Sequence, residues 1–145
     1  LDYCKENGIT FYAYMVLEQG ALSGKYDTVH RFPEGSDRAK CYGPILPQLG
    51  KLIEKMRQIG GKYDASPAQI AAAWAIAKGT LPIIGVTKVE QVEAAAKAVE
   101  IALSADEISE LEALGDTANI NTLREWEQAF LNLLYAIKSH TIKFL

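Results

Sequence analysis

The sequence predicts an α/β fold in which about two parallel strands are outnumbered by helices. Three observations carry this expectation. Two short apolar runs, residues 9–14 and 81–85, have the composition of buried strands. Apolar stripes at helical spacing fill the stretch between them and continue after the second. Several of those stripes open on capping motifs. Strand, helix, strand, helix in that order is the pattern of a parallel layer.

Taken in order, residues 1–7 read as the end of a helix, which Asn7-Gly8 stops. Residues 9–14 (ITFYAY) are β-branched and aromatic and form the first strand. Residues 17–43 read as a long irregular loop holding Gly20, Gly24, Pro33, Gly35 and Gly43. Pro44 then opens a helix whose stripe is Ile45, Leu49, Leu52, Ile53 and Met56, with Gly60-Gly61 as its end. Ser66-Pro67-Ala68-Gln69 is a capping box with proline at the first helical position. Ile70, Ala73, Trp74 and Ala77 form the buried face of that helix, and Gly79 stops it. Residues 81–85 (LPIIG) form the second strand. Pro82 fits near its start, because proline cannot donate to the ladder. Thr87-Lys88-Val89-Glu90 caps a helix running to about Val99. Ser104-Ala105-Asp106-Glu107 caps another, running to about Leu114 and closed by Gly115. A last stripe follows Thr122: Leu123, Trp126, Phe130, Leu133, Leu134 and Ile137.

Composition excludes several classes. Of 145 residues, 49% are apolar and 23% charged, ordinary globular usage that rules out general disorder. A net charge of −3 gives no support for nucleic acid as a partner. Two cysteines, Cys4 and Cys41, are too few for a disulfide scaffold and are expected as reduced thiols. With only His30 and His140 besides, no metal-ligand cluster is expected. No apolar run approaches the ~20 residues that cross a bilayer, and no secretory leader opens the chain. The expected location is cytoplasmic, without a membrane partner. A complete (β/α)8 barrel, at ~250 residues, does not fit. Two strands alone make a poor sheet, and the chain opens on Leu1, so a fragment or a processed product is expected.

The chemistry concentrates in Ile84-Gly85-Val86-Thr87-Lys88. Here a strand ends at a glycine and a helix starts within two residues. The free N–H groups and positive dipole end of a helix N-terminus attract anions. Gly85 allows a ligand close to the backbone, Thr87 offers a hydroxyl, and Lys88 adds a charge. The same pattern also describes an ordinary capped helix with a solvated lysine. Lysine is unusual at a helix N-terminus, which favours an anionic ligand.

These segments, in order over residues 1–126, resemble the C-terminal half of an aldo-keto reductase. Residues 4–14 (CKENGITFYAY) resemble that family's seventh barrel strand and the helix before it. Residues 17–26 (LEQGALSGKY) resemble the loop around the cofactor pyrophosphate. The helix at Ser66, with Trp74-Ala75, resembles the one before the eighth strand. Residues 81–88 (LPIIGVTK) resemble that strand and the site for the adenosine 2′-phosphate. The resemblance implies the C-terminal part of a (β/α)8 barrel, incomplete, with residues 1–127 as the partial reductase domain. Residues 128–145 then form a divergent tail, expected to be helical. It implies Leu17 and Gly20 against the pyrophosphate, with Lys25 reaching toward it. It implies Gly85, Thr87 and Lys88 on the 2′-phosphate, hence NADP(H) rather than NAD(H), and Gln91 near the adenosine.

Two departures bear on affinity. Met15-Val16 stand where many members carry Ser-Pro, and Ala94-Ala95 where many carry Glu-Asn. Each lost hydrogen bond is worth ~1 kcal/mol, so affinity falls without vanishing. The family's catalytic Asp, Tyr, Lys and His lie in the other half of the barrel, and no residue of this chain is expected to be catalytic. Tyr12, Tyr14 and Tyr26 lack the motif of the proton donor, and His30 and His140 have no neighbouring motif. Reduction of a carbonyl substrate therefore needs the missing half. The alternative is a non-catalytic half-barrel that binds a nucleotide or another protein, with self-association through its exposed edges.

Overall fold

The computed structural model describes residues 1–118 together with Ala129 and Asn132. Helices dominate. They are α1 (Asp2–Glu6), α2 (Asp37–Tyr42), α3 (Leu46–Tyr63), α4 (Pro67–Ala77), α5 (Val89–Lys97) and α6 (Ala105–Ala118). Two short strands, β1 (Tyr12–Ala13) and β2 (Leu81–Pro82), pair in parallel, Tyr12 opposite Leu81 and Ala13 opposite Pro82. The Leu81 and Ile83 N–H groups donate to the Phe11 and Ala13 carbonyls at 2.9 and 2.7 Å. Pro82 lies between these two donors, so its missing N–H costs this ladder nothing.

The strands are shorter and more exposed than their composition predicts. Tyr12 and Tyr14 are 59% and 66% exposed, and Leu81 and Ile83 are 51% and 55% exposed. Each strand has one partner among the described residues, and β2 packs against α4.

Residues 17–43 are not an irregular loop. They contain a kinked 3-10 segment, Glu18–Ser23, and helix α2, which the Ser36 hydroxyl caps by accepting from the Ala39 N–H at 3.1 Å. They also bury their own core, in which Ala21, Phe32 and Tyr42 pack on Leu46, Leu49 and Ile53 of α3. Tyr26 stacks on Phe32 with ring centroids 4.0 Å apart.

The stripe along α3 turns inward as its spacing predicts, with Leu49, Ile53 and Met56 buried. Helix α3 passes through Gly60-Gly61 and ends at Tyr63, where Asp64 takes the left-handed conformation. Gly60 is there for contact: a Cβ would collide with the Ala65 carbonyl oxygen. The second core joins Met56 and Ile59 of α3, Ile70 and Ala71 of α4, and Leu111 of α6. In α4, Ile70 and Ala73 are buried as predicted, but so are Ala71, Ala72 and Ala75, while Ala77 is exposed. Such all-round burial marks the central helix, and α4 packs against α3, α5 and β2. Gly79, at φ +80°, ends α4 as predicted. Gly115 does not end α6, which runs on to Ala118. The predicted helix from Thr122 and the 128–145 tail lie outside the described residues, Ala129 and Asn132 excepted.

Candidate functional site

Two βα units in parallel bring the starts of α4 and α5 toward one end of the molecule. Between them lies a cleft of about 450 Å³, lined by Leu17, Ser66, Gln69, Gly85, Lys88 and Gln91 among others. Local chemistry fixes each wall. At α4, the Ser66 N–H donates to Gln69 Oε1 at 2.9 Å, and Ser66 Oγ accepts from the Gln69 N–H at 3.4 Å. Pro67 occupies the first helical position, where an N–H has no intrahelical partner anyway.

At α5 the cap differs from the one the sequence suggests. Lys88, not Thr87, holds the cap position, and Gln91 rather than Glu90 closes it. Gln91 Oε1 accepts from the Thr87 N–H at 2.7 Å, the Lys88 N–H at 3.2 Å and the Thr87 hydroxyl at 3.3 Å. A lysine side chain has no acceptor to cap with. The glutamine does that work from inside the first turn and leaves the ammonium of Lys88 to other partners.

Of the seven residues predicted for a ligand, Leu17, Gly85, Lys88 and Gln91 line the cleft. Thr87 is exposed beside it, with its hydroxyl turned to Gln91. Gly20 and Lys25 stand apart. Gly20, at φ +100°, forms the kink of the 3-10 segment, its N–H on the Leu17 carbonyl at 2.8 Å. The exposed Lys25 places Nζ 5.3 Å from the centre of the Tyr26 ring. Gly85 has open space on its Cβ side, so the missing side chain widens the cleft rather than relieving the backbone.

The sequence reading had not assigned Ser66, Gln69 and Glu90 to the site. The first two were legible as a helix start but not as neighbours of Lys88, because only the tertiary arrangement joins them. Two helix N-termini, α4 and α5, turn their positive dipole ends toward one space. Lys88 reinforces that potential and Glu90 opposes it. Ala94 and Ala95 line the far end, which therefore offers apolar contact and no side-chain hydrogen bonds.

The remaining titratable candidates sit elsewhere. His30 is on the surface, Nδ1 3.3 Å from Asp27, and His140 is outside the described residues. Cys4 is half-buried and Cys41 exposed, both as free thiols. Among the described residues no group of three or more His, Cys, Asp or Glu is placed to hold a metal ion, and no helix is long and apolar enough to cross a membrane.

Comparison with known proteins matches residues 1–116 to the model of the aldo/keto reductase family. Among curated relatives, the chain is 37% identical over 109 residues to the chloroplastic pyridoxal reductase of Arabidopsis thaliana, covering 75% of this chain and 29% of that protein. It is 32% identical over 122 residues to the aldo-keto reductase yakc of Schizosaccharomyces pombe, whose name specifies NADP(+), covering 81% and 36%. Among solved structures, the glycerol dehydrogenase of Gluconobacter oxydans superposes with a TM-score of 0.71 at 19% identity, over 86% of this chain and 39% of that one. That likeness identifies the fold as an incomplete (β/α)8 barrel, helix-rich with two parallel strands. The chain spans about a third of the length of the curated relatives it matches.

Proposed function

Because the chain belongs to the aldo/keto reductase family, we propose that it is the NADP(H)-holding part of a reductase that converts aldehydes or ketones to alcohols. The observation that carries this reading is the cleft where Lys88, Gly85 and the first turns of α4 and α5 meet. Its donors suit a phosphate. The backbone N–H groups of the first turn of α5 can donate to a ligand oxygen, and Lys88 adds a cation. Gly85 lets a phosphate approach the backbone. Leu17 packs against the pyrophosphate, and Gln91, its oxygen engaged by the cap, turns its amide N–H2 toward the adenosine. Thr87 supports that glutamine. Gly20 shapes the neighbouring loop, and Lys25 reaches the pyrophosphate only by leaving Tyr26. Bound NADPH would supply the hydride for carbonyl reduction.

No acid–base group of the family's tetrad is proposed within this chain. Carbonyl, cofactor and proton donor must be held together for turnover. The chain alone is therefore expected to bind cofactor and to reduce no substrate. A thermal melt with NADP or NAD in excess tests this. A ligand that binds only the folded state adds ~2.7 kcal/mol at 100 times its dissociation constant. NADP should raise the midpoint well above NAD. A cooperative melt that neither cofactor shifts would overturn the proposal.

The exposed face at Tyr12, Tyr14, Leu81 and Ile83 supports a second reading, a half-barrel that associates with another chain or with itself. Retained monomeric behaviour at high concentration would count against it.

A further inference from the structure

The segment that enters the cleft at Leu17 and Ser23 has an unfavourable backbone. Glu18 and Gln19 stand at φ +44° and +51°, and Gly20 and Gly24 at +100° and +75°. Only the two glycines take such angles without steric cost. Strained backbone of this kind persists where the surrounding structure holds it.

Three side chains from outside the segment do the holding. The buried Tyr42 of α2 donates its hydroxyl to Glu18 Oε2 at 3.0 Å. Arg38 of α2 donates from Nη1 to the Gln19 carbonyl at 3.4 Å. Arg57 of α3 donates from Nη2 to the Gly24 carbonyl at 2.9 Å. Each of the three partners is one of the residues at positive φ. On its other side Gly24 packs on Pro67, the first residue of α4, where a Cβ would come 2.6 Å from Pro67 Cγ. Ala21, fully buried, and Leu22, which touches both cores, fill the space beneath. The segment is thus clamped between α2 and α3 on one side and the start of α4, a wall of the cleft, on the other.

We infer that Tyr42, Arg38 and Arg57 are positioning residues for the ligand of the cleft. They brace residues 17–24 in the shape that accepts it, and none of the three lines the cleft itself. The inference rests on the cofactor reading, which sets Leu17 against the pyrophosphate. Apparent affinity scales with the fraction of the chain already in the competent shape. NADP and NAD share the pyrophosphate, so loosening the brace weakens both by a similar factor. Losing Lys88 instead separates the two.

Two variants of the full chain test it. Tyr42→Phe keeps the buried ring, removes one hydroxyl and changes no charge. Arg57→Met removes the bond to Gly24 from an exposed position and spares the core. Without cofactor, hydrogen–deuterium exchange should be several-fold faster at residues 17–24 in both variants and unchanged in α6. Titration calorimetry should find NADP and NAD each bound about 3- to 10-fold more weakly. Glu107→Gln, which loosens the contact of α3 with α6 instead, should leave both affinities as they are. Unchanged exchange at residues 17–24 in both variants would overturn the inference. So would faster exchange with both affinities unchanged, or an equal loss of affinity in Glu107→Gln, which would trace the effect to general stability. A natural chain that binds neither cofactor would overturn the cofactor reading, and with it the role of the brace in binding.

Discussion

The Lys62 ammonium sits 2.8 Å from Glu107 Oε1, although the lysine is largely exposed and the carboxylate is 5% exposed. The other oxygen of Glu107 accepts from the Tyr63 hydroxyl and from the Ser104 N–H, each at 2.9 Å. One side chain thus closes the cap of α6 and ties it to the end of α3. The Lys62 hydrogen bond first, then the Ser104 N–H and Tyr63, hold the Glu107 carboxyl at about 2 against an ordinary 4.5. A carboxyl lowered in the folded state contributes stability that is fully present above its unfolded value. That stability is lost as pH falls from about 4.5 toward 2. Glu107→Gln should cost about 2 kcal/mol at neutral pH, the scale of charge-assisted hydrogen bonds. Urea melts should show the gap to the natural chain closing below pH 4.5. Lys62→Met leaves the buried Glu107 carboxylate without its cation and should cost about 1–3 kcal/mol at neutral pH.

Adjacent glycines in α3 should respond in opposite directions. Both lie inside the helix, where alanine is preferred over glycine by ~1 kcal/mol. Gly61 is exposed and has open space on its Cβ side, so Gly61→Ala should stabilise by up to that amount. Gly60 is buried against the Ala65 carbonyl, so Gly60→Ala should destabilise by about 1–3 kcal/mol through forced displacement. Thermal midpoints of the two variants, moving apart around the natural chain, are the check.

This pair also shows what was legible in the sequence. Local rules located the caps at Ser66 and Ser104, the stripe of α3 and the stop at Gly79, because backbone chemistry within four residues decides them. The same rules misplaced the end of α3 at Gly60-Gly61, because the reason for Gly60 is a contact with Ala65 across the turn. They placed the cap of α5 at Thr87, because two residues competed and the reach of Gln91 decided. Helix α2 was missed although Ser36-Asp37 carried its signal, since the surrounding glycines and Pro33 read as a loop. The strands were recognised by composition, yet their burial was not, because burial depends on partners that short apolar runs do not reveal. Of the site, Gly85, Lys88 and Gln91 came from one contiguous motif. Ser66 and Gln69 join them only through the packing of α4 on α5.

Asp64 ends α3 in the left-handed conformation, at φ +50° and ψ +45°. Its N–H bonds back to the Gly60 carbonyl. Glycine holds this backbone without steric cost, and a carboxylate at a helix C-terminus faces the negative end of the dipole. Asp64→Gly should therefore stabilise by about 1 kcal/mol, read as a higher denaturant midpoint at unchanged slope. Asp64→Ala removes the charge but keeps the strained conformation, so its gain should be smaller. A larger gain for alanine than for glycine would show that charge, not backbone strain, dominates this cap.

Lys88 and Glu90 face the same cleft with opposite charge, two residues apart on the first turn of α5. A 2′-phosphate there feels both. Lys88→Ala removes a charge-assisted contact worth ~1.5–3 kcal/mol, so NADP(H) affinity should fall about 10- to 100-fold. NAD(H), which lacks that phosphate, should lose little. Glu90→Gln removes the opposing charge and should raise NADP(H) affinity while leaving NAD(H) nearly unchanged. Both effects should shrink with added salt, since the pair is exposed and the Debye length is ~8 Å at physiological ionic strength. Titration calorimetry with each cofactor at two salt concentrations separates the cases. Equal losses for NADP(H) and NAD(H) in Lys88→Ala would assign the lysine to the pyrophosphate that both cofactors share. An unchanged Glu90→Gln would mean that its carboxylate points out of the cleft toward solvent.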